Sequence, residues 1–273
     1  SPIPVDYTGG VNTTASAKTI SVSLNEIETK AFLQDVPKAY NTQINDVLLT
    51  ALVQVLGRWT SFNSVLLNLE GHGREDIVEN VDLSRTVGWF TTIFPVFMEL
   101  EKLEVINNPG DALKLVKEQL RLIPNKGIGY GLLRYLSEDA EIGAKLQALP
   151  QAQISFNYLG QFDQIINASS TIQLASEFAG LEYSLHGTRP HLLDINSIII
   201  GNQLQIDWTY STNVHEDATI ENLAQEFVKA LQSLIAHCLN PDNGGYTPSD
   251  FGLAKFSSQV QLDQVLASLE LNQ

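Results

Sequence analysis

Val65-Leu66-Leu67-Asn68-Leu69-Glu70-Gly71-His72-Gly73-Arg74-Glu75 is the stretch from which both the fold and the chemistry are read. Its apolar first half reads as a strand. Its second half sets an acid, an imidazole and a guanidinium at residues 70, 72 and 74, separated by glycines. A strand ending this way delivers ionisable side chains from a fixed support, and Gly71 and Gly73 let a ligand approach the main chain closely. Taken alone, glycines among charged residues after a strand are a solvated turn. The wider chain has to decide.

Upstream, residues 18 to 24 alternate polar and apolar, the period of a half-buried strand. Asn25-Glu26-Ile27-Glu28 has the form of a capping box, and Ile27, Ala31, Phe32 and Val36 continue at helical spacing up to Pro37. Val47, Leu48, Ala51, Leu52, Val55, Leu56 and Trp59 then predict a second helix with a broad, buried apolar face. Strand, helix, helix, strand in the first 70 residues points to a layered α/β architecture.

Downstream, residues 82 to 96 combine a polar start with a dense apolar end. Trp89, Phe90 and Phe94 are expected in the core, while Ser84, Arg85, Thr91 and Thr92 are candidates for a pocket wall. A helix is predicted from Pro109 to Leu122, ending before Pro124. Residues 152 to 160 alternate as a strand, with Asn157 and Tyr158 at its end. The clearest hairpin spans 192 to 200 and 203 to 211 around Gly201-Asn202. A long helix comes next, from about Ile220 to Cys238, and a short amphipathic segment carries Leu262, Val265, Leu266 and Leu269.

Composition narrows the classes of function. The 273 residues include 44% hydrophobic and 17% charged ones, ordinary for a globular protein. A formal charge of -15 disfavours a nucleic-acid partner, since phosphate binding needs clustered Lys and Arg. No apolar run has the length of a membrane span. The single cysteine, Cys238, excludes an internal disulfide, fits a reducing cytoplasm, and reads as a core residue. The histidines at 72, 186, 191, 215 and 237 form no H-x-x-x-H and join no cysteine pair, so no metal site is expected. The glycines at 127, 129 and 131 come after a helix rather than a strand, which argues against a dinucleotide loop, and no G-x-S-x-G is present. What remains is acid/base work by Glu70. Removing a proton from carbon beside a carbonyl or thioester needs a placed carboxylate and donors for the developing enolate oxygen, with Tyr158 or Asn157 as donor.

NLEGHGRE at 68 to 75, DLSRTVGWFTTIFPV at 82 to 96, PNKGIGYGLLRY at 124 to 135 and FNYLG at 156 to 160 resemble, in order, the motifs of epimerization domains of nonribosomal peptide synthetases, members of the condensation superfamily. The segment from Gly244 to Phe251 is similar to the one that comes after such domains. The resemblance implies one lobe of the chloramphenicol acetyltransferase fold, an α/β two-layer sandwich with a mixed sheet flanked by helices. It implies residues 1–17 as a linker from a missing N-terminal lobe, 18–240 as the C-terminal lobe and 241–273 as a tail or connection onward.

The same resemblance implies that Glu70 is the acid/base and that Asn157 and Tyr158 stand at the reaction centre, with His72, Arg74, Ser84, Arg85 and Thr91 along the substrate tunnel. The implied substrate is an aminoacyl or peptidyl thioester on the phosphopantetheine arm of a peptidyl carrier protein, with no directly bound cofactor. The family's second acid/base, a histidine of an H-H-x-x-x-D motif, has no counterpart among these residues. The chain is therefore expected to be inactive alone. A condensation-domain lobe and a non-catalytic carrier-docking module are the competing expectations.

Overall fold

Polar/apolar alternation produces strand β1 (Ala17–Ser23), and the capping box closes in both directions at the start of helix α1 (Glu26–Gln34). The Glu28 amide donates to Asn25 Oδ1 at 2.9 Å and the Asn25 amide donates to Glu28 Oε2 at 3.1 Å. Pro37 does not end helical structure. It sits in the first turn of α2 (Val36–Tyr40), where a missing N–H is no loss.

The computed structural model describes residues 2–75, 77, 79–83, 85–100, 107–162, 180, 183–251 and 258–270. Its remaining principal elements are α3 (Ile44–Thr60), β2 (Ser64–Gly71), β3 (Thr92–Glu99), α4 (Pro109–Arg121), α5 (Ala140–Gln147), β4 (Ile154–Gln161), β5 (Leu193–Ile200), β6 (Gln203–Ser211), α6 (Asp217–Leu239) and α7 (Gln259–Glu270), with short helical turns between 124 and 136.

Among the described residues six strands form one mixed sheet in the order β1-β6-β5-β4-β2-β3. The pairs β2/β4 and β4/β5 are parallel, the other three antiparallel. Residues 201 and 202 turn the β5–β6 hairpin with φ of 59° at both positions, the signature of the Gly-Asn turn expected there.

Side-chain parity divides the sheet into two faces. Leu67 and Leu69 of β2, Ile195 and Ile199 of β5, and Ile206 and Trp208 of β6 are buried in one cluster with the apolar faces of α3 and α6. Trp208 meets Phe227 of α6 edge to face at 5.8 Å. Asn68, Glu70, Asn157, Asp194, Asn196 and Asp207 take the opposite parity and are only partly buried. The polar half of each alternating strand thus lies on the face opposite α3 and α6.

Segments before β1 and after α6 pack onto the sheet and its helices. The amides of Asp6 and Tyr7 donate to the Val214 carbonyl at 3.0 and 3.1 Å, and Thr13 bridges Thr188. On the other side Lys117 Nζ, 1% exposed, donates to both Asp250 carboxylate oxygens at 2.7 and 2.8 Å and to the Tyr40 carbonyl. The aromatic cluster expected at 89 to 94 separates. Phe94 is buried, but Trp89 is 91% exposed. The reason is that Phe94 belongs to the helix-facing parity of β3, whereas Trp89 precedes the strand and has no described layer above it.

Candidate active site

Glu70 is the penultimate residue of β2 and points to the open face, its carboxylate Oε2 accepting from Asn157 Nδ2 at 2.9 Å. The parallel register explains the meeting. Asn68 pairs with Ser155 and Leu69 with Phe156, so one step further along both strands brings 70 beside 157. Burial is the main cause that raises the Glu70 carboxyl above its ordinary range, the like charge of Asp194 adds to it, and His191 opposes. A carboxylate so placed is a better base than an exposed one, and Asn157 holds its orientation.

Tyr158, expected to converge on the same spot, takes the other parity. It pairs with Ser197, which is fully buried, and packs against the core cluster. Burial raises its phenol above the usual range, so the group is a neutral O–H donor and not a base.

The glycine-rich segment after Glu70 is a constructed turn. Gly73 has φ +66°, and a Cβ there would lie 1.6 Å from the Phe90 carbonyl oxygen. Arg74 clasps that turn. Its guanidinium donates to the carbonyls of Leu83, Thr86 and Gly88 and stacks 4.5 Å over the Phe90 ring. His72 is exposed and sits 3.2 Å from Glu75 Oε1, with Lys126 on the other Glu75 oxygen at 2.8 Å. Arg85 is exposed on the surface. Ser84 lies outside the described residues.

Two cavities border the end of β2. One, of about 390 Å³, is lined by Glu70, His72, Phe94, Arg121 and Lys126 among others. The second, of about 660 Å³, has Asn68 and His191 on one side and Thr91, Tyr130, Arg134 and Tyr135 on the other. The third motif wraps the β3 edge to reach it: Gly127 lies against the core-facing Phe94 ring, and Tyr130 and Tyr135 line the open side. A Cβ at Gly127 would lie 2.3 Å from that ring, which explains one glycine of the triplet.

Sequence reading missed the polar group beside Glu70. His191 Nδ1 is 3.1 Å from Asp194 Oδ1, its Nε2 is 2.9 Å from Asn68 Nδ2, and Arg189 Nη2 donates to Asp194 Oδ2 at 2.7 Å. Burial alone would raise the Asp194 carboxyl, but the bonds from His191 and Arg189 outweigh it and hold the group below the usual range. Parity could have placed Asn68 and Asp194 on the Glu70 face. Their meeting needs the strand order. Cys238 is buried, its thiol pushed up to about 11, which fits its reading as a core residue. Among the described residues no group of three or more His, Cys, Asp or Glu is placed to hold a metal ion, and no helix is long and apolar enough to cross a membrane.

A helix-backed mixed sheet with an acidic polar face defines a lobe of the chloramphenicol acetyltransferase-like class, and comparison with known proteins agrees. The family model described as Condensation domain matches residues 1–255, and the chain belongs to that family. It is 51% identical over 267 residues to a linear gramicidin synthase polypeptide of Brevibacillus parabrevis, covering 97% of this chain and 3% of that protein. To bacitracin synthase 3 of Bacillus licheniformis it is 41% identical over 252 residues, covering 91% of this chain and 4% of that protein. The chain thus spans only a small part of the length of these relatives. Among solved structures, the epimerization domain from the third module of tyrocidine synthetase B superposes with a TM-score of 0.78 at 37% identity, over 88% of this chain and 52% of that one. The X-domain from teicoplanin biosynthesis, at 18% identity and a TM-score of 0.59, shares the fold over 86% of this chain and 51% of its own. The superfamily and the fold class expected from the four motifs are therefore borne out.

Proposed function

We propose that this chain supplies the Glu70 half of an epimerization site, which interconverts L and D configurations at the α-carbon of an aminoacyl or peptidyl group held as a thioester on a phosphopantetheine arm. The observation that carries the reading is the half-buried Glu70 carboxylate, held by Asn157 on the open face of the sheet with its basicity raised by burial. The likeness to a solved epimerization domain supports it. Glu70 takes the α-proton, and the C–H electron pair passes to the thioester carbonyl oxygen as an enolate. A proton returned from the opposite side of that carbon gives the inverted centre. Tyr158, a neutral donor behind the strand, has the smaller role.

The donor on the opposite side comes from a second lobe in this reading. Residues 18–240 form the C-terminal lobe, 1–17 lead from its N-terminal partner, and 241–273 lead onward. The match to 52% of the solved epimerization domain supports that division. The further partner is a peptidyl carrier protein, which brings the arm into the cavities beside β2, in the cytoplasm. His72 and Thr91, which border those cavities, are the tunnel residues retained; Arg74 orders the turn beside them.

The test is deuterium uptake at the α-carbon of a carrier-loaded aminoacyl thioester by the two lobes combined. Glu70→Gln is expected to slow uptake by roughly 10²- to 10⁴-fold, the usual worth of a placed acid/base. Amide formation without uptake in the parent protein would instead favour a condensation domain, and neither activity would favour a docking module.

A further inference from the structure

On the open face the ladder sets Asn68, Ser155, Asp194 and Thr209 side by side across β2, β4, β5 and β6. Glu70 and Asn157 form the next row. The backbone that delivers His191 is clamped: Asn12 Nδ2 donates to the carbonyls of Arg189 and His191 at 3.2 and 2.7 Å, and the Arg189 amide donates to the Asn12 carbonyl at 2.9 Å. Arg189 itself spans Asp194 Oδ2 and the Thr209 carbonyl, at 2.7 and 2.8 Å.

With the Asn68 NH₂ facing Nε2, the contacts of His191 agree with one tautomer. A carboxylate only accepts, so the imidazole proton sits on Nδ1, facing Asp194. Nε2 is then bare and accepts from the Asn68 amide nitrogen. That orients the Asn68 side chain, leaving its carbonyl oxygen unused by the histidine, on the face that carries Glu70 and at the edge of the 660 Å³ cavity.

We infer that His191 is a positioning residue of the Glu70 site, held in one tautomer by Asp194 and in turn fixing the Asn68 amide, whose oxygen is set to accept an N–H of the substrate's α-amino or amide group. The inference rests on the epimerization reading for the nature of that substrate, but the orientation of Asn68 by His191 does not. The charged groups around the imidazole are Asp194 on β5, Arg189 before it, Glu70 on β2 and Arg134 across the cavity, with Asp207 on β6 one row along.

Two measurements on this chain test the inference. Nitrogen NMR of the imidazole in the parent should show Nδ1 protonated and Nε2 bare, and Asp194→Asn should mix the tautomers. Carbon NMR of the Glu70 carboxyl should show its midpoint fall in Asp194→Asn, which removes a like charge. A packing residue would show mixed tautomers in the parent. An Nε2-protonated imidazole in the parent, or tautomers left unmixed in folded Asp194→Asn, overturns the proposal. In the two-lobe protein, His191→Gln should raise KM more than it lowers kcat. If Glu70→Gln exchanges normally while the imidazole behaves as stated, the epimerization reading fails and the positioning of Asn68 by His191 stands.

Discussion

At the scale of the residue, the main tension is a carboxylate kept where charge is unwelcome. The folded chain holds the Glu70 proton more tightly than the unfolded chain does, because burial and Asp194 both disfavour the anion. Stability is linked to pH through that difference. It falls as pH rises from the ordinary carboxylate range through the raised Glu70 value, and the loss is complete above it. Glu70→Gln keeps an oxygen for Asn157 and removes the charge. Its melting temperature should exceed the parent's by ~2 °C near pH 7, with the advantage gone near pH 4. A variant melting below the parent at pH 7 would mean that the carboxylate is not strained by its surroundings. The group that weakens the fold is the one that the proposed reaction uses. Glu70 was legible because it ends a strand that runs into a glycine-rich segment, and Asn157 because it lies in an alternating strand, although within β4 and not at its end. Asn68 and His191 were not, since they lie 123 residues apart and meet only through the sheet order.

At the scale of the element, helix α4 carries a lysine that binds the segment after α6 to the lobe. Lys117 and Asp250 are 1% and 9% exposed, and the pair is completed by the Tyr40 carbonyl. Removing one partner of a buried pair leaves the other charge uncompensated, at a cost of roughly 3–5 kcal/mol. Lys117→Met should therefore lower the free energy of unfolding in urea by an amount in that range and bring the midpoint down with it, and Lys117→Met combined with Asp250→Leu should recover most of it. Unchanged midpoints in both would show that the segment contributes nothing to the lobe's stability. The helices themselves were readable from capping residues and apolar spacing, as at Asn25 and Pro109. Lys117 was not: it interrupts an apolar face in the sequence, and its partner comes from 133 positions along the chain.

At the scale of the whole molecule, the helices give the sheet one covered face, and the other carries both the polar rows and exposed apolar groups. Ile93 and Phe97 stand out from β3, and Trp89 is 91% exposed while Trp208 is fully buried. Groups of this size in water mark a surface meant for contact. If the second lobe proposed above docks on this surface, tryptophan emission should shift to the blue on adding it, and Trp89→Phe should remove most of the shift. Emission that stays constant while the lobes bind would place the contact elsewhere. Local order determined much of this protein. Period-two alternation, capping boxes and the Gly201-Asn202 turn specify the strands and helices, and they put Glu70 near a strand end and Asn157 within a strand, because backbone geometry depends on neighbours a few residues away. Only the tertiary structure decided which strands lie together. Parallel pairing of β2 with β4 and β4 with β5 depends on burying apolar faces against α3 and α6, a long-range balance that no local pattern records. That packing joins Asn157 to Glu70, turns Tyr158 toward the core and brings His191 to Asn68.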